Sequence, residues 1–291
     1  MALIFLCHLC ILARPAETRS AKWTGCDPGG IQTRFVPDPA SGRLYDVEIS
    51  LPSDYDRDAS THYPVIYLAD GGRETRPVTC QIRELYKNGT LAQEPIIVGL
   101  SYAKGESLVA SRKRDYTPAP RKPGDTAYGG AHAYQHYLRQ TVIPYVESLY
   151  RTNPDRRIYV GHSYGGLLGA HILLTEPGLF RTYILGSPSL WFADHAILTF
   201  ESEYARANRN LKADLLLFVG GEEIGRYDPG RRDNTQNMVG DMRAFESQLK
   251  QRHYPGLTIR SLVVRSKNHR NVFPPGLTWA ITAVLGGTTG R

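Results

Sequence analysis

Residues 156–166 read Arg156-Arg-Ile-Tyr-Val160-Gly161-His-Ser163-Tyr-Gly165-Gly166, and the chain continues Leu167-Leu-Gly-Ala-His-Ile-Leu-Leu174. A short β-rich apolar run meets a Gly-x-Ser-x-Gly turn that opens into an apolar helical stretch. Composition alone gives roughly 0.15 such matches in a chain like this, so the bare pattern is weak. Its context is stronger, because the motif requires a strand before it and a helix after it, and both are present. A Cβ at position 161 or 165 would clash in so sharp a turn; the two glycines leave the Ser163 hydroxyl exposed above a sheet. The helix beginning near Gly165 points its first N–H groups at any oxyanion that develops there. Ser163 is the candidate nucleophile.

Working outward, the same alternation recurs. Candidate strands are Leu44–Leu51, Val65–Leu68, Ile96–Leu100, Ile158–Val160, Tyr183–Leu185, Leu215–Val219 and Ile259–Val264. In the first, Tyr45, Val47, Ile49 and Leu51 share one face, the mark of a half-solvated antiparallel strand. Later runs such as Leu215–Val219 are continuously apolar, as strands covered on both faces are. Between them, Met238, Met242, Phe245 and Leu249 form one helical stripe, read as core. Tyr134, Leu138, Val142, Val146 and Leu149 form another, which Pro144 should kink or restart. Antiparallel entry strands followed by strand–helix alternation predict an α/β fold: a mostly parallel sheet with helices on both faces. Ligands on such sheets sit beyond the carboxyl ends of the strands.

A serine hydroxyl needs a base, and in this strand–turn–helix context the order is nucleophile, acid, base. His195, His253 and His269 follow Ser163 at a distance. His269, in the polar loop Ser266-Lys-Asn-His-Arg270 after the last strand, is the expected base. The acid should follow Leu215–Val219, where Gly220-Gly-Glu-Glu223 stands; Glu223 is favoured over Glu222, and a Ser–His pair without a strong third member is the alternative. Asp228, Asp233 and Asp241 read as loop and cap residues. One oxyanion donor is the N–H of Tyr164, and the second comes from Gly72 or Arg73 in Ala69-Asp-Gly-Gly-Arg73. Asp70 reads as a loop-shaping residue.

The chain has 291 residues, 41% apolar and 22% charged, which excludes disorder. Its net charge of +7 is spread along the sequence, with no basic block interleaved with aromatics, so no nucleic-acid partner is expected. No His-Glu-x-x-His or equivalent spacing suggests a metal, and no cofactor is called for. Met1 to Ala13 is almost wholly apolar, too short to span a bilayer but long enough for the core of a secretory leader ending near Ala21. A periplasmic or secreted location follows, or a cytoplasmic one if residues 1–21 are not a signal. No stable membrane span is expected in the mature chain. The Cys7-His-Leu-Cys10 pair lies inside the leader and carries no reading of its own. Cys26 and Cys80 remain, either as one disulfide or as two separate buried thiols.

Tyr63-Pro-Val-Ile-Tyr-Leu-Ala-Asp-Gly71, Arg112-Lys-Arg-Asp-Tyr-Thr-Pro118, Gly161-His-Ser-Tyr-Gly-Gly166, Gly186-Ser-Pro-Ser-Leu-Trp191 and Asn268-His269 occur in this order. Over residues 30 to 285 the chain resembles the esterase-D-like putative esterases, a family that includes siderophore (enterobactin-type) esterases and related carboxylesterases. The resemblance implies an α/β-hydrolase fold over residues 22–291 as a single domain. It also implies Ser163 as nucleophile, His269 as base and an acid in the Val-Gly-Gly-Glu-Glu segment. Tyr164 and Arg270 stand where the family often has Leu and Gly, which bears on the substrate. The expected activity is serine carboxylic-ester hydrolysis of a small-molecule ester, siderophore-type or otherwise anionic and aromatic. Acyl transfer by the same residues and a non-catalytic binding protein on this scaffold are the alternatives. Arg112, Lys113 and Arg114 read as part of a loop after Ile96–Leu100. Either the three cations are simply solvated, or Arg112 and Arg114 face the cleft and bind anionic oxygens, with Tyr116 beside the substrate ring. Trp191 is an aromatic wall or, equally, core.

Overall fold

The computed structural model describes Cys26, residues 28–225 and residues 236–287. Eight strands form one sheet: β1 (Gln32–Pro37), β2 (Leu44–Ser50), β3 (Tyr63–Ala69), β4 (Ile96–Ala103), β5 (Thr152–His162), β6 (Thr182–Gly186), β7 (Ala213–Gly220) and β8 (Leu257–Val264). Their order is β1-β2-β4-β3-β5-β6-β7-β8. The β1–β2 and β2–β4 pairs are antiparallel and the others parallel. This is the α/β-hydrolase fold. All seven strands expected from the sequence are present, although Leu51 falls just beyond β2 and is only part-buried. The eighth, β1, is an edge strand in which only Val36 is buried, so no periodic signal marks it.

Successive side chains of the central strands enter two separate cores. Ile66 and Leu68 of β3, with Leu216 and Phe218 of β7, pack beneath α1 (Gly71–Lys87) and α9 (Phe273–Leu285). Val65, Tyr67, Leu215, Leu217 and Val219 pack on the opposite face, against α5 (Tyr164–Thr175) and α8 (Met238–Gln251). Each fully buried large apolar side chain contributes ~1.5–3 kcal/mol, so both cores hold the sheet rigidly under the loops at its carboxyl edge.

The α8 stripe is buried throughout, at Met238, Met242, Phe245 and Leu249. In the upstream stripe, Tyr134, Leu138, Val142 and Val146 are buried but Leu149 is exposed. A π-helical turn at Leu138–Val142 separates α3 (Ala131–Tyr137) from α4 (Ile143–Leu149), and Pro144 lies in the first turn of α4. The inserted residue slips the helical phase and brings Ile143 inward. The segment around Arg112, expected as a loop, is a helix, α2 (Leu108–Tyr116). Ser107 caps it by accepting from the Ala110 N–H at 3.1 Å.

Cys26 and Cys80 are disulfide-bonded with Cα atoms 5.8 Å apart, which ties the chain ahead of β1 to α1. Residues 1–21, read from the sequence as a leader, with Cys7 and Cys10, and the residues Asp228 and Asp233 lie outside the described residues. Among those described, no helix is long and apolar enough to cross a membrane.

Candidate active site

β5 delivers Ser163 to the turn before α5 with φ 59° and ψ −119°, a backbone conformation that costs a non-glycine residue of order 1–3 kcal/mol and persists only where its surroundings fix it. They do so here. The Ser163 N–H donates to Gly186 O at 3.0 Å, and Ser163 O accepts from the N–H groups of Leu167 at 2.9 Å and Ser189 at 3.1 Å. A Cβ on Gly161 would stand 2.3 Å from Gly165 O, and one on Gly165 would stand 2.9 Å from Ala69 Cβ. The glycines therefore permit the turn and also its close approach to the end of β3.

The loops after β7 and β8 are laced together at this edge. Gly221 N–H donates to Val264 O and Glu222 N–H to Lys267 O, each at 2.9 Å. Beyond them, the Asn268 carboxamide oxygen accepts from Arg270 N–H, and that of Asn271 from Asn268 N–H, which folds the loop carrying His269. Glu223 is buried and its Oε2 meets His269 Nδ1 at 2.7 Å. Its Oε1 accepts from Gly220 N–H at 2.7 Å and Ser187 Oγ at 2.6 Å. Glu222 is exposed, so of the two adjacent carboxylates Glu223 is the one brought to the histidine. The His269 ring lies 4.6 Å from that of His162, which also packs on Phe273. Burial, with His269, Arg112 and Arg73 nearby, holds His162 well below the usual imidazole range, so it is a neutral ring. Among the described residues no hydrogen bond joins His269 to Ser163; Ser163 Oγ lies 3.3 Å from Ser189 Oγ. Such contacts commonly tighten only when substrate binds. The other two histidines lie elsewhere. His195 pairs with Asp241 at 3.0 Å, and His253 is exposed in the turn after α8.

Two helix N-termini open beside the elbow, those of α1 and α5, and neither Gly72 N–H nor Tyr164 N–H donates to a carbonyl among the described residues. Arg73 N–H, by contrast, donates to Asp70 O at 3.0 Å, which separates the two residues the sequence could not. Asp70 does more than shape the loop. It precedes α1 with φ 61° and holds Arg112 in a two-point ion pair, Nε–Oδ1 2.7 Å and Nη2–Oδ2 3.0 Å. Tyr102 Oη donates to the same carboxylate at 2.8 Å, and Tyr116 Oη accepts from the Asp70 N–H at 3.0 Å. Arg112 Nη2 also reaches His162 O at 3.2 Å, so one guanidinium links the start of α1 to the elbow.

This corrects the expected substrate contacts. Arg112 directs its Nε and Nη2 to Asp70 and His162 O, so it is not the free cation expected. Arg114 points away from Asp70 and binds Glu106, both Asp115 oxygens (2.8 and 3.0 Å) and Tyr45 Oη (3.3 Å). Tyr116 is fully buried and cannot touch a substrate ring. Trp191 is part-buried, 6.4 Å from the Tyr164 ring, in an aromatic group completed by Phe192 and Tyr128. The sequence points to Arg73 only through its backbone N–H; its side chain is exposed on the first turn of α1. Among the described residues no group of three or more His, Cys, Asp or Glu side chains stands close enough to hold a metal ion.

Comparison with known proteins gives a consistent picture. The family model described as Putative esterase matches residues 39–259. The ferri-bacillibactin esterase BesA of Bacillus subtilis is 28% identical over 233 residues, 75% of this chain and 79% of the relative. The siderophore triacetylfusarinine C esterase of Aspergillus fumigatus is 32% identical over 170 residues, 57% of this chain and 58% of the relative. Among solved structures, the BES protein of Bacillus cereus shares the fold with a TM-score of 0.74 at 22% identity, covering 95% of this chain and 100% of that one.

Proposed function

The chain belongs to the putative esterase family and is an ester hydrolase, and from that premise we propose that it works through an acyl-enzyme on Ser163, with His269 as base and Glu223 as the acid that orients it. The observation carrying this reading is the 2.7 Å contact between a buried Glu223 and His269, on loops at the same sheet edge as the strained elbow. Ser163 Oγ attacks the ester carbonyl while its proton passes to His269 Nε2. Glu223 holds Nδ1–H and stabilises the imidazolium. The oxyanion is met by the N–H groups of Gly72 and Tyr164, reinforced by the positive ends of two helices. His269 then returns the proton to the departing alcohol, and water releases the acyl group by the same route in reverse.

For the substrate we propose an anionic aromatic ester of siderophore type. The names of the curated relatives support it, as do the aromatic side chains of Tyr164 and Trp191 beside the elbow and the exposed cations Arg73 and Arg270 at this edge. The Cys26–Cys80 disulfide supports an oxidising, periplasmic or secreted location. The test is a panel of short-chain aryl, feruloyl and catecholate siderophore esters, run with and without saturating acceptor alcohols. Catecholate esters should show the highest kcat/KM and release free acid; preference for a neutral ester, or transfer to the alcohol, would overturn the substrate assignment or hydrolysis respectively.

A further inference from the structure

We propose that the loop leaving β6, Ser187-Pro-Ser189, braces the reacting residues at two points: Ser189 donates a hydrogen bond to the nucleophile Ser163 Oγ, and Ser187 is a positioning residue for the Glu223 carboxylate. This rests on the Ser163–His269–Glu223 reading above and assigns parts to two serines that the reading leaves idle.

Both serines are buried, and a buried hydroxyl is costly unless bonded. Each has one of the reacting side chains as its partner: Ser189 Oγ is 3.3 Å from Ser163 Oγ, and Ser187 Oγ is 2.6 Å from Glu223 Oε1. The backbone between them is pinned to the same two elements. Ser189 N–H donates to Ser163 O at 3.1 Å, and Ser187 N–H to Phe218 O at 2.7 Å, on the strand that delivers Glu223. Pro188 presses on α5, where a Cβ at Gly166 would stand 2.9 Å from its Cα. Ser187 is held at φ 36°, a strained value for a residue other than glycine, and strain of this kind marks sites where position matters.

The chemistry decides which serine donates to which. Ser163 must give its proton to His269 Nε2 as its oxygen bonds to the carbonyl carbon, so it cannot keep that proton directed at Ser189. With Ser189 as donor, the Ser163 proton is free for His269, and a positive dipole faces the oxygen as its negative charge develops. The Ser189 proton stays on its own oxygen throughout. At the other end, Ser187 O–H and Gly220 N–H occupy Oε1 and leave Oε2 to His269 Nδ1, which fixes the plane of the carboxylate.

The test measures kcat/KM against pH on a neutral short-chain aryl ester, using the full chain, with active sites counted by fluorophosphonate titration so that rates refer to folded enzyme. Ser189→Ala should lower the plateau roughly 3- to 10-fold and slow fluorophosphonate labelling in proportion, with the acidic limb unmoved. Ser187→Ala should shift the acidic limb upward by roughly 0.3–1 pH unit, because a carboxylate with one donor fewer holds the imidazolium more tightly. Ser187→Gly removes the same hydroxyl while accepting the positive φ, so it should show the same shift even if the alanine variant folds poorly. An unchanged plateau in Ser189→Ala, or an unmoved limb in both Ser187 variants, would overturn the brace. Ser163→Ala separates the two levels. If it abolishes turnover while the loop variants behave as wild type, the brace alone is lost; if it keeps turnover, the reading and the brace fall together.

Discussion

Two carboxylates flank the elbow and each pairs with a basic side chain, yet the two pairs are built differently. Asp70, after β3, grips Arg112 through two hydrogen bonds with both side chains largely sealed, 9% and 18% exposed. Glu223, after β7, holds His269 through one bond, the acid 4% exposed and the ring 41%. An arginine keeps its proton under all conditions a protein survives, so the first pair is a permanent clip between α1 and the elbow. The second pair is the one that the proposed mechanism uses, with the imidazole as its base. A carboxylate beside the elbow is therefore ambiguous until the chemistry and exposure of its partner are known.

The sharpest break between the pairs should come from Glu223→Gln. A neutral amide cannot stabilise the imidazolium, and kcat on a neutral aryl ester should fall about 10³- to 10⁴-fold, while Glu222→Gln stays within a few-fold. Few-fold losses in both would make the second pair structural as well. At the first pair the expected effect is on stability. Arg112→Ala leaves Asp70 buried without its cation, which should cost about 3–5 kcal/mol in denaturant unfolding, with anionic and neutral esters losing kcat/KM equally. A loss confined to anionic esters would return Arg112 to the role of substrate reader.

A third, smaller effect comes from a buried histidine. His171, in the middle of α5, packs against Phe200 with neither ring nitrogen hydrogen-bonded among the described residues, and burial pushes its pKa down to about 4 from 6.5. The folded state then binds fewer protons than the unfolded one between these values. The stability this gives is complete above pH 6.5 and is lost as pH falls toward 4. His171→Leu should remove roughly 3 kcal/mol of that acid sensitivity, read as the difference in unfolding free energy between pH 7 and pH 4. An unchanged pH dependence would mean that this ring finds a partner in solution.

The contrast between the pairs also shows what the sequence could carry. The elbow was legible because its glycines, serine, strand and helix are contiguous. Glu223 and His269 were legible because each lies in the loop after a strand whose carboxyl end must face the same way. Arg112, Arg114 and Tyr116 were misjudged because α2 buries Ser111, Asp115 and Tyr116, a mostly polar face with no hydrophobic period to announce a helix. Read as a loop, the three cations at 112–114 looked free to meet a substrate; in the helix, Arg112 and Arg114 turn to different acids. Asp70, Ser187 and Ser189 owe their places to backbone turns at φ 61° and 36° and to contacts between distant strands, which no local pattern encodes.

The central claim is that Ser163 carries the acyl group. It is tested most directly by quenching the full chain during turnover of a slow aryl ester and mapping the covalent adduct by peptide mass spectrometry. We predict an acyl group on the peptide containing Ser163, no adduct and no turnover in Ser163→Ala, and strongly slowed acylation in His269→Ala. An adduct on another residue, or undiminished hydrolysis by Ser163→Ala, would contradict it.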